Sequence, residues 1–383
     1  MQKFKEKIRK ELYQNIIPFW KKLIDKNHGG FFGYVDNHGK INDKANKGAM
    51  LQLRILWFFS YLYKFDNQEE FRLLANHAFK FVTEKLMDQD GTILWESDYQ
   101  GEITDSTKHI YYQSFGIYAI SQYYDSFKDT KALNISNRLF DLIETQYKDS
   151  YGYIEQLDTL HNRLADNGIK ADRTMNSLLH LLEAYTTYYK ITSRIETKEA
   201  IESLLDLFIN KIYNPKLKRL EVLFNHQMES IADYHSFGHD IEASWLLDDA
   251  ADAIKNPLYQ NKIYEISDQL CSFIDQEGFI NQALKAELIH GKNDDSHIWW
   301  MQAEAIVGFY KNSKRHKDKY MNRVFGLLDF ILQYQINQNS GEWYWKINKD
   351  LQPDLNQPLA SNWKCPYHNG RMCIELLKEL RDE

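Results

Sequence analysis

A short extended segment, a polar loop and then a helix rich in apolar and aromatic residues recur about six times along this chain, at intervals of roughly 60 to 70 residues. The extended segments are Gly29-Gly-Phe-Phe-Gly-Tyr34, Asp90-Gly-Thr-Ile-Leu-Trp-Glu96, Tyr151-Gly-Tyr-Ile-Glu155, Arg219-Leu-Glu-Val-Leu-Phe224, Glu277-Gly-Phe-Ile-Asn281 and Gly341-Glu-Trp-Tyr-Trp345. The helices that follow them start near Gly48, His109, Ala171, His239, Ile298 and Asn369. More polar helices are expected between these, near residues 69–88, 130–147, 195–213, 257–275 and 316–337. A helix over the first 27 residues, with Phe4, Ile8, Leu12, Ile16, Phe19 and Leu23 at helical spacing, supplies the sixth of this type. Two alternating characters imply two concentric layers. An open stack of helix pairs needs a polar capping unit at each end, and neither end of this chain resembles one; a closed double ring needs none. The expected fold is therefore all-α, an (α/α)6 barrel of six inner and six outer helices. Its short β segments and long loops gather at the face where the inner helices begin, and the whole chain, 1–383, forms one domain. The competing reading is an open helical solenoid that binds proteins.

Composition narrows the partners. Of the 383 residues 43% are hydrophobic and 26% charged, enough apolar material for a large core in a soluble protein. A net charge of -7 without a basic run argues against nucleic acid, whose phosphates need a concentrated positive surface. The opening residues are charged and amphipathic, and no apolar run reaches membrane-spanning length, so neither secretion nor a membrane is expected and the cytoplasm is. Cys271, Cys365 and Cys373 form neither an even disulfide set nor a zinc-type pair, and reduced thiols follow. A monomer is expected.

The residues able to do chemistry cluster at the starts of the apolar helices. Asp233-Tyr-His-Ser-Phe-Gly-His-Asp-Ile-Glu-Ala-Ser-Trp245 crowds two histidines, carboxylates and a tryptophan at a loop-to-helix junction; His239, Glu242 and Trp245 lie three residues apart and share a face. His368 stands before the last helix, in Trp363-Lys-Cys-Pro-Tyr-His-Asn-Gly-Arg371. Arg54 interrupts an apolar run, so it either pairs with a carboxylate or faces a ligand. Asn176, His180 and Glu183 form a polar stripe among leucines, which either lines a wet cavity or makes a satisfied core network. Trp300 and Glu304 sit one turn apart in Trp299-Trp-Met-Gln-Ala-Glu304, and aromatic faces at a polar mouth suit the C–H faces of sugars. The spacing of His235 and His239 invites a metal, but Gly238 separates them and no HExxH motif or cysteine cluster accompanies them, so no metal is expected. No phosphate loop, serine elbow or dinucleotide fingerprint is present.

Together, Gly29-Gly-Phe-Phe-Gly-Tyr34, Arg54-Ile-Leu-Trp-Phe58, Lys170-Ala-Asp-Arg-Thr-Met-Asn176, His235-Ser-Phe-Gly-His-Asp-Ile-Glu-Ala-Ser-Trp245, Trp299-Trp-Met-Gln-Ala-Glu304 and Trp363-Lys-Cys-Pro-Tyr-His-Asn-Gly-Arg371 resemble the cellobiose 2-epimerases of the N-acylglucosamine 2-epimerase superfamily, in order and essentially end to end. The resemblance implies the same barrel and a disaccharide as small-molecule partner, with no cofactor. It implies His239 and His368 as paired general acid/base residues, His180 as a third histidine assisting at the sugar ring, and Arg54, Tyr111, Asn176, Glu242, Trp245, Trp300, Glu304 and Trp363 as substrate-binding positions. The implied reaction opens the reducing-end glucose of cellobiose or a related β-1,4-linked disaccharide such as lactose. It then removes the proton at carbon 2 and reprotonates the cis-enediolate on the opposite face to give mannose. Within that chemistry Arg54 is expected to stabilise the enediolate oxygen, and Glu242 to hold the His239 tautomer. The alternatives are an N-acetylglucosamine epimerase or aldose–ketose isomerase on the same barrel, a glycoside hydrolase of this architecture, and a noncatalytic binding protein.

Overall fold

The computed structural model describes residues 1–157, 165–166 and 169–380. Among the described residues twelve helices alternate in two layers. The outer layer opens with α1, which runs from Gln2–Lys10 through a π-helical stretch, Glu11–Ile16, into Ile17–Lys21. The inner helices are α2 (Ala49–Asp66), α4 (Ile110–Phe127), α6 (Met175–Thr192), α8 (Phe237–Ile254), α10 (Trp299–Arg315) and α12 (His368–Glu379). Between them run the outer helices α3 (Glu69–Lys85), α5 (Thr130–Leu142), α7 (Ile195–Leu207), α9 (Pro257–Glu277) and α11 (Met321–Phe330). Each inner helix packs on the next, α12 packs back on α2, and every outer helix lies against an inner one, with α1 covering α12. The ring closes, as the missing end caps required, and the open solenoid is excluded.

The two layers differ because their surroundings do. On α2 every residue from Ala49 to Ser60 is buried, since an inner helix meets neighbours on both flanks and the outer ring behind. On α3 only Phe71, Leu74, Ala75, Ala78, Phe79, Phe81 and Val82 are buried, the single stripe of an amphipathic helix with solvent on its other side. Inner helices pass to outer ones through tight turns carried by Asn67, Lys128, Ser193 and Lys255, all left-handed with φ between 50° and 57°. The N–H of Asn67, Lys128 and Ser193 in these turns closes on the carbonyls of Tyr63, Tyr124 and Tyr189, capping the helix ends. The return connections are long and carry the short antiparallel strands. One of these, Tyr234–Ser236, pairs with Glu287–Ile289 and feeds directly into α8. All six inner helices therefore start at the looped face, with the positive ends of their dipoles converging there.

Three outer helices also end in π-helical turns, Ile143–Tyr147 after α5, Phe208–Ile212 after α7 and Ile331–Gln335 after α11. With these turns included, the helices expected near 130–147 and 195–213 lie where the sequence places them, while the one expected near 316–337 begins later, at Met321.

A buried clasp joins the two ends of the chain. Glu342 accepts from Lys364 Nζ at 2.7 Å, from Trp20 Nε1 at 2.5 Å and from Asn369 Nδ2 at 2.9 Å, so α1, α12 and the loop between α11 and α12 meet on one carboxylate. Both side chains of the Lys364–Glu342 pair are 0% exposed. Lys364→Met leaves that carboxylate buried without its cation, and chemical denaturation should record a loss of about 3–5 kcal/mol.

Candidate active site

Each of the three predicted histidines sits in the first two turns of an inner helix and is tied through Nδ1. His368, the first residue of α12, holds Nδ1 2.8 Å from Glu304 Oε1. His180 holds Nδ1 2.9 Å from Glu183 Oε2, one turn further along α6. His239 turns back toward the N-cap of α8, with Nδ1 2.8 Å from Ser236 Oγ, the same oxygen that accepts the His239 backbone N–H at 3.4 Å. Nε2 of all three makes no hydrogen bond among the described residues and is the atom left for chemistry. His239 and His368 share one neighbour, Trp300, whose ring centroid lies 4.9 Å from the first and 5.3 Å from the second. Burial holds His239 and His368 neutral, each pushed down to about 3; at His239 the neighbouring His180 and His235 add to this, and at His368 the Glu304 carboxylate opposes it.

Glu242 does not hold His239. Although i,i+3 spacing puts both on one face of α8, the imidazole is taken by Ser236, and Glu242 Oε1 instead receives Arg371 Nη2 at 2.8 Å. The same Nη2 lies 2.8 Å from Glu304 Oε1, while Nη1 bonds Glu183. One guanidinium cannot balance three carboxylates in a dry interior. Burial and the charge of Glu304 raise Glu242 well above the usual carboxylate range, whereas Arg371 and His368 outweigh burial at Glu304 and lower it. Glu304 is the ionised partner and Glu242 the protonated one. Glu242, Glu304 and His368 bring three possible ligand atoms within 4.8 Å of one another, but Arg371 already supplies the positive charge a cation would bring.

Arg54 has no carboxylate within ion-pair distance among the described residues, which leaves the ligand-facing reading. Its Nη2 donates to the Tyr111 hydroxyl at 3.0 Å, and the rings of Phe115 and Tyr367 stand 4.4 and 4.8 Å from its guanidinium carbon. Arg54 Nε, Asn176 Oδ1 and Glu242 Oε2 are all buried without a partner. An unmade buried hydrogen bond costs about 1–3 kcal/mol, so three in one site point to a ligand rich in hydroxyls. The stripe of Asn176, His180 and Glu183 thus divides: Glu183 is saturated by Arg371, Tyr367 and His180, and Asn176 is open.

The tryptophans part company. Trp245 is buried and donates from Nε1 to Glu304 Oε2 at 3.0 Å while lying under Arg371, so it braces the carboxylate. Trp363 is 46% exposed at the rim, 5.9 Å from Tyr111 and 5.5 Å from Trp95 between ring centroids, and forms a platform. Trp299 is core, edge-on to His368 at 5.4 Å. His235 is buried with Nε2 2.7 Å from Asp240, which commits it elsewhere and removes the two-histidine metal pair. The three cysteines are free and buried. No helix among the described residues is long and apolar enough to cross a membrane.

Sequence reasoning overlooked Ser236, Tyr367 and the role of Arg371. Ser236 carried a signal, because a serine three residues before a helical residue is an N-cap pattern. For Arg371 the signal was weaker, a cation one turn after His368 on a helix otherwise buried there.

The family model for N-acylglucosamine 2-epimerase (GlcNAc 2-epimerase) matches residues 30–369. A cellobiose 2-epimerase of Dictyoglomus turgidum is 39% identical over 384 aligned residues, covering 98% of this chain and 98% of its own length. One from Ruminococcus albus is 37% identical over 379, covering 97% of each. The solved structure of cellobiose 2-epimerase from Bacillus thermoamylovorans superposes with a TM-score of 0.95 at 38% identity, covering 99% of this chain and 100% of that one. A barrel carrying its polar side chains at the entry of every inner helix, matched over nearly its whole length, leaves one assignment: the chain belongs to the N-acylglucosamine 2-epimerase family.

Proposed function

We propose that this protein is a cofactor-independent isomerase that epimerises carbon 2 of the reducing-end glucose in cellobiose and related β-1,4-linked disaccharides such as lactose. The observation that carries the reading is the pair of neutral imidazoles, His239 and His368, both against the Trp300 ring, with Nδ1 engaged and Nε2 open. The relatives from Dictyoglomus turgidum and Ruminococcus albus, both cellobiose 2-epimerases, supply the substrate class.

Epimerisation inverts one carbon, so the proton must leave one face and return to the other. Nε2 of one imidazole takes the C2 proton of the open-chain aldehyde, and the electrons of the C–H bond pass into the cis-enediolate. Nε2 of the other, neutral in the free protein, takes a proton from solvent once the negative enediolate lies beside it and delivers that proton to the opposite face; the first imidazole returns the C2 proton to solvent before the next turnover. Arg54 donates to the enediolate oxygen, and Tyr111 holds the guanidinium in place. Asn176 and the protonated Glu242 receive sugar hydroxyls, His180 assists at the ring, and Glu304, braced by Trp245, orients His368. Trp300 and Trp363 carry the two sugar rings. The enzyme works as a monomeric single domain, 1–383, in the cytoplasm.

A glycoside hydrolase on this barrel would need a carboxylate free to act as nucleophile or base. Glu304 is saturated by His368, Arg371 and Trp245, and Glu183 by Arg371, Tyr367 and His180; Glu242 keeps a free Oε2 but is held protonated, which suits neither a nucleophile nor a base. Proton NMR of cellobiose with chelator-treated protein in deuterated water tests the reading. A mannose reducing end deuterated at carbon 2 supports it, free glucose favours hydrolysis, and reaction of N-acetylglucosamine or mannose alone moves the substrate.

The acid limb of kcat/KM should fall below pH 6.5. A base works neutral, and burial lowers the pKa of both imidazoles, so they stay uncharged as pH drops past the ordinary histidine value of about 6.5. Rates of cellobiose turnover across pH 4 to 8 check this; a limb at or above the ordinary value contradicts it.

A further inference from the structure

The two proposed bases are not held alike. His368 Nδ1 meets a carboxylate, Glu304, whereas His239 Nδ1 meets a hydroxyl, Ser236. Glu304 is itself fixed by Arg371, and Arg371 reaches through Glu183 to the Nδ1 of His180 as well. Thus one buried guanidinium lies behind two of the three imidazoles. His239 stands outside this network, and no carboxylate lies within ion-pair distance of it among the described residues.

The difference in partner has a chemical meaning. A carboxylate only accepts, so it fixes the Nδ1–H tautomer, leaves Nε2 basic and stabilises the imidazolium that forms. A serine hydroxyl both donates and accepts, so it permits either tautomer. His368 is buried, whereas His239 retains partial exposure at the looped face. The charged and titratable groups facing His368 are Glu304 from α10, Glu242 from α8 with Oε1 at 3.8 Å, Arg54 from α2, and Arg371 and Tyr367 at the start of α12.

We propose that Arg371 is a positioning residue that makes the acid/base pair unequal: by fixing Glu304 it commits His368 to the Nε2-basic tautomer and couples it to His180, while His239, set by Ser236, changes tautomer freely. This rests on the reading of His239 and His368 as the acid/base pair. Both Nη atoms of Arg371 are engaged, by Glu183, Glu242, Glu304 and the Tyr367 hydroxyl, and in this proposal it acts through the carboxylates rather than on the sugar. Side chains that orient a metal-ligating histidine are typically worth about 10 to 100-fold in affinity or activity, and a loss on the same scale is expected here.

The test compares the full-length protein with Arg371→Lys, Glu304→Gln and Ser236→Ala, using long-range proton–nitrogen spectra of the imidazoles alongside kcat and KM for cellobiose. In the unaltered protein His368 should show the Nδ1–H tautomer alone and His239 a mixture. Arg371→Lys should give His368 mixed tautomers, lower kcat about 10 to 100-fold with KM within about twofold, and move the pH limb, while leaving the His239 signals in place. Glu304→Gln, a smaller change should Arg371→Lys not fold, should move the signals of both His368 and His180, the second through Arg371. Ser236→Ala should alter His239 alone. An unchanged His368 tautomer in Arg371→Lys, with activity falling only with the folded fraction, overturns the proposal; so does a His239 shift as large as that of His180 in Glu304→Gln. The spectra need no turnover, so an inactive unaltered protein with the expected tautomers would refute the epimerase reading and leave the coupling standing.

Discussion

His239→Ala and His368→Ala should each lower kcat for cellobiose epimerisation by about 10² to 10⁴-fold, the usual contribution of a positioned acid/base group. The more telling result lies in the isotope. A site with one base left can still take the C2 proton from one face and return a solvent deuteron to that same face. Each variant should therefore wash deuterium into one epimer and leave the other protiated, and the two variants should choose opposite epimers. The fold should survive both changes, because neither histidine bears a carboxylate that depends on it alone: Glu304 keeps Arg371 and Trp245, and Ser236 keeps its backbone cap. A variant that folds and retains normal turnover removes that histidine from the reaction.

Arg54→Met should separate activity from stability. The guanidinium is buried among Tyr111, Phe115 and Tyr367 with no carboxylate beside it, and Nε has no partner. In the empty protein that charge has only a tyrosine hydroxyl, a thiol and aromatic faces for partners, which offset its burial less well than a carboxylate would. In the reaction it faces the oxygen that becomes negative, and loss of one such donor typically costs about 10² to 10³-fold in kcat. Methionine of similar length should therefore lower kcat by about that factor while the melting temperature stays level or rises. Equal losses of kcat and stability would mean that Arg54 is structural.

The barrel was legible because its evidence is periodic. Six recurrences, an apolar run such as that around Arg54, and a stripe such as Phe71, Leu74, Ala78 and Val82 are patterns of spacing, and spacing survives in a one-dimensional string. The turns between layers were not, because Asn67, Lys128, Ser193 and Lys255 adopt left-handed backbone without the glycine that would announce it. The π-helical turns leave no compositional trace either.

Within the site, positions were readable and partners were not. His239, His368, His180 and Arg54 stand out as polar residues at helix entries. That Glu304 orients His368 across 64 residues, or that Ser236 rather than Glu242 takes His239, depends on rotamers and on which helices become neighbours. Arg371 went unread for the same reason. Its three carboxylates come from α6, α8 and α10, and no local window contains them.

The helix that closes the ring is the twelfth, and it carries His368 and Arg371, while its anchoring clasp reaches back to Trp20. During synthesis a growing chain displays Arg54, His180 and His239 long before it owns a second base or the cation behind Glu183 and Glu304. Both bases are in place only where α12 lies against α2 and α1, so a chain without this helix holds at most one base and cannot carry a proton from one face of carbon 2 to the other.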